Sequence, residues 1–155
     1  MPLTYLDSSA LVKRYMDEAG SAWVTRLCAS EPVAISIITL PEIASALGRR
    51  TREGALAAGQ GHTLFRLFLK DAPTFLIIGL NQAVALRSAA MLLTAAPPVR
   101  LRSLDAVHLA SAQWTFALAR RRGVATGAFV TADRALVQAA LWAGLATMNP
   151  EDHLH

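Results

Sequence analysis

The stretch Leu3-Thr4-Tyr5-Leu6-Asp7-Ser8-Ser9-Ala10-Leu11-Val12-Lys13 decides the fold. Leu3 to Leu6 reads as a short strand, Asp7 ends it, and a helix is expected from about Ser8 to Asp17 with Asp7 as its cap. The alternation continues outward from there. A helix from about Ser21 to Ala29 leads to a second strand, Val33 to Ile37, rich in β-branched residues. A helix from about Leu40 to Arg52 follows, then a helical stretch over about Ala55 to Lys70 whose start is weakened by Gly59 and Gly61. Phe75 to Ile78 reads as a third strand, with helices after it at about Gln82 to Thr94 and Leu104 to Arg121. Ala128 to Thr131 is a fourth strand, followed by a helix from about Arg134 to Ala143 and a short fifth strand, Ala146 to Met148. Short strands alternating with helices define an α/β class with a mainly parallel sheet of about five strands.

A chain of 155 residues, 54% of them hydrophobic, suits one domain with an ample core. No apolar run approaches the roughly 18 residues of a membrane helix, and Met1-Pro2-Leu3-Thr4 lacks the basic and apolar regions of a signal peptide. A soluble, cytoplasmic protein is the expectation. Cys28 is the single cysteine, which excludes an internal disulfide and a multi-thiolate metal site. The net charge is +4, and Lys13 and Lys70 are the only lysines, so the positive charge is mostly arginine. The planar guanidinium suits phosphate, and a basic chain hints at an anionic partner such as nucleic acid.

Four of the eleven acidic residues occupy one kind of place. Asp7 and Asp133 each leave a strand and open a helix; Glu42 and Asp105 each lie in the first turn of a helix. Capping accounts for each singly. Asp7 and Asp133 suit an N-cap, Thr39-Leu40-Pro41-Glu42 fits a capping box with Thr39 as the cap, and Asp105 suits the positive end of a helix. Capping does not require acids where Ser or Thr would serve. In a parallel sheet the strand C-terminal ends share one edge, where ligands bind. Carboxylates gathered there repel by roughly 4 kcal/mol per pair at about 4 Å and an effective dielectric of 20. They therefore need a cation or shared protons. Hard oxygen donors suit Mg²⁺ or Mn²⁺, ions that activate water and clamp phosphodiester oxygens. Setting the four aside leaves seven acidic residues against fifteen basic ones, an acidic pocket within a basic surface.

These residues carry a resemblance. Tyr5 to Lys13, Ile38-Thr39-Leu40-Pro41-Glu42-Ile43, Leu104-Asp105-Ala106-Val107-His108-Leu109-Ala110 and Phe129-Val130-Thr131-Ala132-Asp133-Arg134-Ala135-Leu136 resemble, in order and spacing, the blocks of the PIN-domain family and within it the VapC-like toxins. The resemblance spans nearly the whole chain. It implies a PIN-like three-layer α/β/α domain over residues 1–155, with Asp7, Glu42, Asp105 and Asp133 as the catalytic, metal-binding set. Ser8 and Thr131 are implied as hydroxyls that assist the site. The implied reaction is Mg²⁺- or Mn²⁺-dependent endonucleolytic hydrolysis of RNA by the toxin of a type II toxin–antitoxin system. The implied partners are a second copy of the chain and a small VapB-like antitoxin. Pro41 before Glu42 is a mild variation that suits an early helical turn.

Arg100, Arg102 and Arg134 flank site acids and are read as RNA-phosphate contacts. Arg49, Arg50 and Arg52 lie farther along the Glu42 helix, and Arg120 to Arg122 end the Asp105 helix, where positive charge is stabilising in any case. His108, three residues after Asp105, falls on nearly the same helix face; it is read as a supporting or packing residue rather than a metal ligand. Trp23, Trp114 and Trp142 read as packing residues, and the Phe65 to Leu69 cluster as core. Two rival functions remain at this point: a PIN-like module that binds RNA or protein without cutting, and a phospho-acceptor domain built on Asp7. The second lacks the acidic neighbour such an acceptor usually has.

Overall fold

In a computed structural model, residues 1–153 are described. Five parallel strands, β1 (Leu3–Leu6), β2 (Val33–Ser36), β3 (Leu76–Ile78), β4 (Thr126–Val130) and β5 (Thr147–Met148), stand in the order β3-β2-β1-β4-β5. The chain winds outward from β1 to β3, then returns to the other side of β1 for β4. That reversal opens a crevice at the C-terminal ends of β1 and β4, the switch point where open parallel sheets bind ligands. Leu6 pairs with Val130, and the Asp7 N–H donates to the Val130 carbonyl at 3.0 Å, so the two strands release their chains side by side.

β1 and β2 are buried along their whole length, as the central strands of a sheet covered on both faces must be. Alternation along the strands divides the core in two. Tyr5 and Phe129 stack at 5.5 Å on one face, packed with Leu109, Phe116 and Leu136 from α6 (Ser103–Arg121) and α7 (Arg134–Trp142) and with Val84 from α5 (Gln82–Thr94). Leu6, Ile35 and Val130 face the other way. They meet Leu11 of α1 (Ser8–Leu11), Val24 of α2 (Ser21–Ser30), Ile43 and Leu47 of α3 (Thr39–Arg52) and Phe68 of α4 (Gln60–Asp71). The result is the expected three-layer α/β/α arrangement.

Two expected helices are shortened. The helix expected over Ser8 to Asp17 keeps α geometry only to Leu11 and tightens to a 3₁₀ turn over Val12–Tyr15. The Ser21 hydroxyl takes the Lys13 and Met16 carbonyls and ends it. The helix expected from Ala55 starts at Gln60, because Gly54 and Gly59 adopt the left-handed conformation, with φ of 78° and 81°, and the chain turns between them. β4 instead begins two residues earlier than expected. Thr126 pairs with Leu3, and Gly127 passes so close to Thr4 that a Cβ would stand 2.6 Å from its hydroxyl.

Candidate active site

Asp7 leaves β1 into the crevice and is 4% exposed. It serves as the N-cap of α1, accepting from the Ala10 N–H at 3.0 Å. The Ser9 hydroxyl lies 2.9 and 3.0 Å from its two oxygens. Ser9 also accepts from the Ala132 N–H at 3.0 Å and lies 3.2 Å from the Thr131 hydroxyl, so it ties the end of β1 to the end of β4. Burial pushes the Asp7 carboxyl above its ordinary value, against the opposing pull of His108, the Ala10 N–H and the neighbouring hydroxyls.

Asp133 caps α7, accepting from the N–H groups of Ala135 and Leu136 at 2.8 and 3.2 Å. Its own N–H donates to the Thr131 hydroxyl at 3.1 Å. Asp105, in the first turn of α6, accepts from the Arg102 N–H at 3.3 Å and from Arg102 Nε at 3.0 Å. The same guanidinium reaches to 3.5 Å from Asp133 with Nη2, so Arg102 lies between the two carboxylates as a counter-charge. Asp105 in particular holds that guanidinium above its ordinary value.

The capping box that would account for Glu42 does not form. Thr39 is not a cap: it lies inside α3, fully buried, with its hydroxyl unpartnered, and Ile38 precedes it in helical geometry without a side-chain cap. Freed from the capping box, Glu42 turns across to the sheet edge, where Ser8 Oγ donates to its Oε2 and His108 Nε2 approaches the same oxygen at 2.6 Å. Burial alone would raise this carboxyl. The His108 hydrogen bond and charge, the Ser8 hydroxyl and Arg102 outweigh it and hold Glu42 below its ordinary value.

Asp7, Glu42, Asp105 and Asp133, from four elements far apart in sequence, line one open cavity of about 510 Å³, with Ser8 and His108 between them. Arg102 lines it too. Arg134 lines a neighbouring cavity and pairs with Asp152 at 3.2 Å, while Arg100 is exposed and lines neither. Lys13, Arg49 and Arg50, cations that the sequence reading left aside, also line the cavity. Arg49 is exposed. Buried Lys13 reaches Glu151 at 2.9 Å and Glu18 at 3.5 Å, and Arg50 pairs with Glu18 at 2.7 Å. Ser9 was missed as well, although its place directly after Asp7-Ser8 was the available signal. The Lys13–Glu151 contact joins residues 138 apart in sequence and leaves no local signature.

The donor set fits a divalent cation in kind: carboxylates on one cavity, with no thiolate. As they stand, no three Asp, Glu, His or Cys side chains among the described residues lie close enough to share an ion. Each site carboxylate is engaged within the protein, Asp105 and Asp133 by Arg102, Asp7 by Ser9, Glu42 by Ser8 and His108. Arg102, with its side chain 78% exposed, stands between Asp105 and Asp133, where an ion shared by those two carboxylates would take its place.

The PIN domain family model matches residues 4–140. No curated protein matches the chain. Among solved structures, PAE2754 from Pyrobaculum aerophilum is similar at 21% identity and a TM-score of 0.60, covering 99% of this chain and 87% of its own. FitAcB from Neisseria gonorrhoeae is similar at 18% identity and a TM-score of 0.62, covering 95% and 97%. VapC20 from Mycobacterium tuberculosis, a sarcin–ricin loop cleaving toxin, is similar at 17% identity and a TM-score of 0.62, covering 88% and 94%.

Proposed function

This chain belongs to the PIN domain family, and from that premise we propose that it is a Mg²⁺- or Mn²⁺-dependent endoribonuclease, the toxin of a type II toxin–antitoxin pair. The observation that carries the reading is the gathering of Asp7, Glu42, Asp105 and Asp133 on one cavity at the switch point of the sheet, which Arg49 and Arg102 also line. The likeness to a sarcin–ricin loop cleaving toxin supports RNA as the substrate, and a likeness to a toxin–antitoxin complex from Klebsiella pneumoniae, at 21% identity and a TM-score of 0.53 over 84% of this chain and 86% of that one, supports an antitoxin partner.

Asp7, Asp105 and Asp133 would hold the metal, with Glu42 completing the set. The chemistry a divalent ion would supply there, when bound, is a lowered pKa for a water and compensation of charge on the scissile phosphate. The residues around it do the rest. Ser8 and His108 hold Glu42; Ser9 and Thr131 hold the strand ends at their spacing. Arg102, once released from Asp105 and Asp133, would offer its guanidinium to a backbone phosphate, with Arg49, which lines the same cavity, as a second contact. Arg100 and Arg134, outside the cavity, would meet more distant phosphates.

No helix among the described residues is long and apolar enough to cross a membrane; the cytoplasm, where cellular RNA is, is the place of action this proposal implies. Of the cluster read as core, Phe65 and Phe68 pack inward but Leu67 and Leu69 of the same helix, α4, are exposed, as are Leu76 on β3 and Leu86 and Leu93 on α5; apolar surface on three consecutive elements suits contact with a second copy or an antitoxin.

The test is cleavage of a mixed RNA pool by purified, partner-free protein with Mn²⁺, with Mg²⁺ and with chelator, beside Asp7→Asn. Cutting that needs both metal and Asp7 supports the proposal. Cutting that survives chelation or Asp7→Asn refutes it, and RNA crosslinking without cutting favours the non-catalytic binding module.

A further inference from the structure

Behind Glu42 stands a buried hydrogen-bonded strut that the metal chemistry itself does not use. His108, 2% exposed, lies one helical turn into α6 from Asp105. Its Nε2 is 2.6 Å from Glu42 Oε2 and 3.3 Å from Ser8 Oγ. Its Nδ1 is 3.1 Å from the hydroxyl of Tyr5, which is completely buried and stacked on Phe129 in the centre of the sheet. The two rings meet edge to face at 77°.

Hydrogen-bond accounting orders this array. A carboxylate oxygen only accepts, so at 2.6 Å the imidazole must present an N–H to it; a bare ring nitrogen there would be lone pair against lone pair. With a proton on Nε2, the opposite ring nitrogen, Nδ1, faces the Tyr5 hydroxyl at 3.1 Å. That phenol keeps its proton, because burial drives its ionisation far above the ordinary range, and a hydroxyl can partner Nδ1 as donor or as acceptor. Ser8 donates to the same Glu42 oxygen. Oε2 is therefore held from two sides, while Oε1 has no hydrogen-bond partner among the described residues and lies on a residue that lines the cavity.

We infer that His108 is a positioning residue, backed by Tyr5, that fixes the Glu42 carboxylate by one oxygen and presents the other to the catalytic cavity. The strut joins β1, α3 and α6, three elements that share no local sequence, and it secures the one site acid that caps no helix. Asp7 and Asp133 are oriented by the helices they cap, and Asp105 by the first turn of its own. Glu42 lies on a longer side chain with no backbone partner, so without the strut its rotamers are open. This inference rests on the nuclease reading for its consequence, though not for its geometry.

Three variants and two readouts test it. Gln can place a side-chain N–H where imidazole Nε2 stood; Leu cannot. His108→Leu should lower kcat for metal-dependent RNA cleavage by about 10–100-fold, the usual effect of losing a residue that orients a metal ligand. KM for RNA should change little, and Mn²⁺ affinity, titrated without RNA, should weaken. His108→Gln should recover most of both losses. Tyr5→Phe keeps the stacking and the site acids, and should cost roughly five-fold through the loss of one hydrogen bond. Nitrogen-15 spectra of histidine-labelled protein, free of metal and RNA, should show a slowly exchanging proton on His108 Nε2 and a hydrogen-bonded Nδ1 that Tyr5→Phe releases. If the wild type has these signals but cuts no RNA with metal, the nuclease reading fails and the strut stands. The strut is overturned if the signals are absent, if folded His108→Leu binds Mn²⁺ and cuts like the wild type, or if His108→Gln is no better than His108→Leu.

Discussion

Replacing Asp7 separates its two duties, helix cap and site anion, which the structure loads onto one buried side chain. Asp7→Asn keeps an oxygen for the Ala10 N–H, and Asn caps as well as Asp. The new amide N–H can donate to Ser9, whose hydroxyl now donates to Asp7. The charge is removed from a position where burial already disfavours it. Asp7→Asn should therefore fold with stability equal to or above that of the wild type at neutral pH. The sign with pH follows from the raised carboxyl. The ionised form is disfavoured in the fold above the folded-state value, and this penalty vanishes as pH falls and the native protein takes up the proton. Any advantage of Asn should thus be largest at neutral pH and shrink in the acid range. Asp7→Ala is the contrast. It loses a cap, about 1 kcal/mol, and the Ser9 hydrogen bond, about another 1 kcal/mol. In a chain of this size, about 2 kcal/mol lowers the melting temperature by roughly 4–8 °C. Thermal unfolding with and without Mn²⁺ reads both duties. The wild type should gain stability from Mn²⁺ through linkage, while Asn, though folded, should not. Asp7→Asn unfolding below Asp7→Ala, or gaining as much from Mn²⁺ as the wild type, would refute this division of roles.

The remaining predictions concern features around the site. Arg102→Gln removes the guanidinium that stands between Asp105 and Asp133; an exposed pair is worth about 0–1 kcal/mol, so Mn²⁺ should bind up to roughly five-fold tighter while KM for RNA rises, and weaker Mn²⁺ binding in a calorimetric titration would contradict the counter-charge role. Gly20→Ala places a methyl 2.7 Å from the Pro150 backbone at a φ of 84°. It should cost at least about 1–2 kcal/mol in a urea titration, and a neutral effect would mean that the 150–152 turn does not rest on Gly20. Burial pushes the Cys28 thiol up to about 11 from 9.0, with Asp71 acting in the same direction and Arg14 against it. At pH 8 it should react with a thiol reagent about a hundredfold more slowly folded than in denaturant. Because the fold holds the neutral thiol, this group takes stability away as pH rises from 9 through 11; equal rates in the two states would show that Cys28 is not enclosed.

Much of the site was legible because Asp7, Glu42, Asp105 and Asp133 each carry a local mark. A carboxylate at a strand exit or in the first turn of a helix can be read from its immediate neighbours, since strand ends and helix starts are themselves local signals. The orientation of Glu42 was not legible. A Thr three residues ahead of a Glu is a valid capping pattern, and nothing in that tetrapeptide shows that Thr39 would be drawn into the helix while His108 and Ser8 took the carboxylate. The basic wall was hidden for the same reason. Which arginines face the acids depends on how α3 is rolled against the sheet, and that is set by Ile43 and Leu47 entering the core. Arg49 and Arg50 consequently line the cavity, whereas Arg134, one residue from a site acid, turns to Asp152.

The sequence by itself determined the alternation of strands and helices, the parallel sheet and the four acids at strand exits and helix starts, because hydrophobic period, β-branching and helix-start chemistry act over a few residues. Only the tertiary structure decided which hydroxyls, cations and rings meet those acids. Ser9 joins β1 to β4, Lys13 reaches a glutamate near the other end of the chain, and Tyr5, His108 and Glu42 align through the middle of the molecule. Such contacts depend on strand order and helix rotation, which arise when the whole core packs at once and belong to no single stretch of chain.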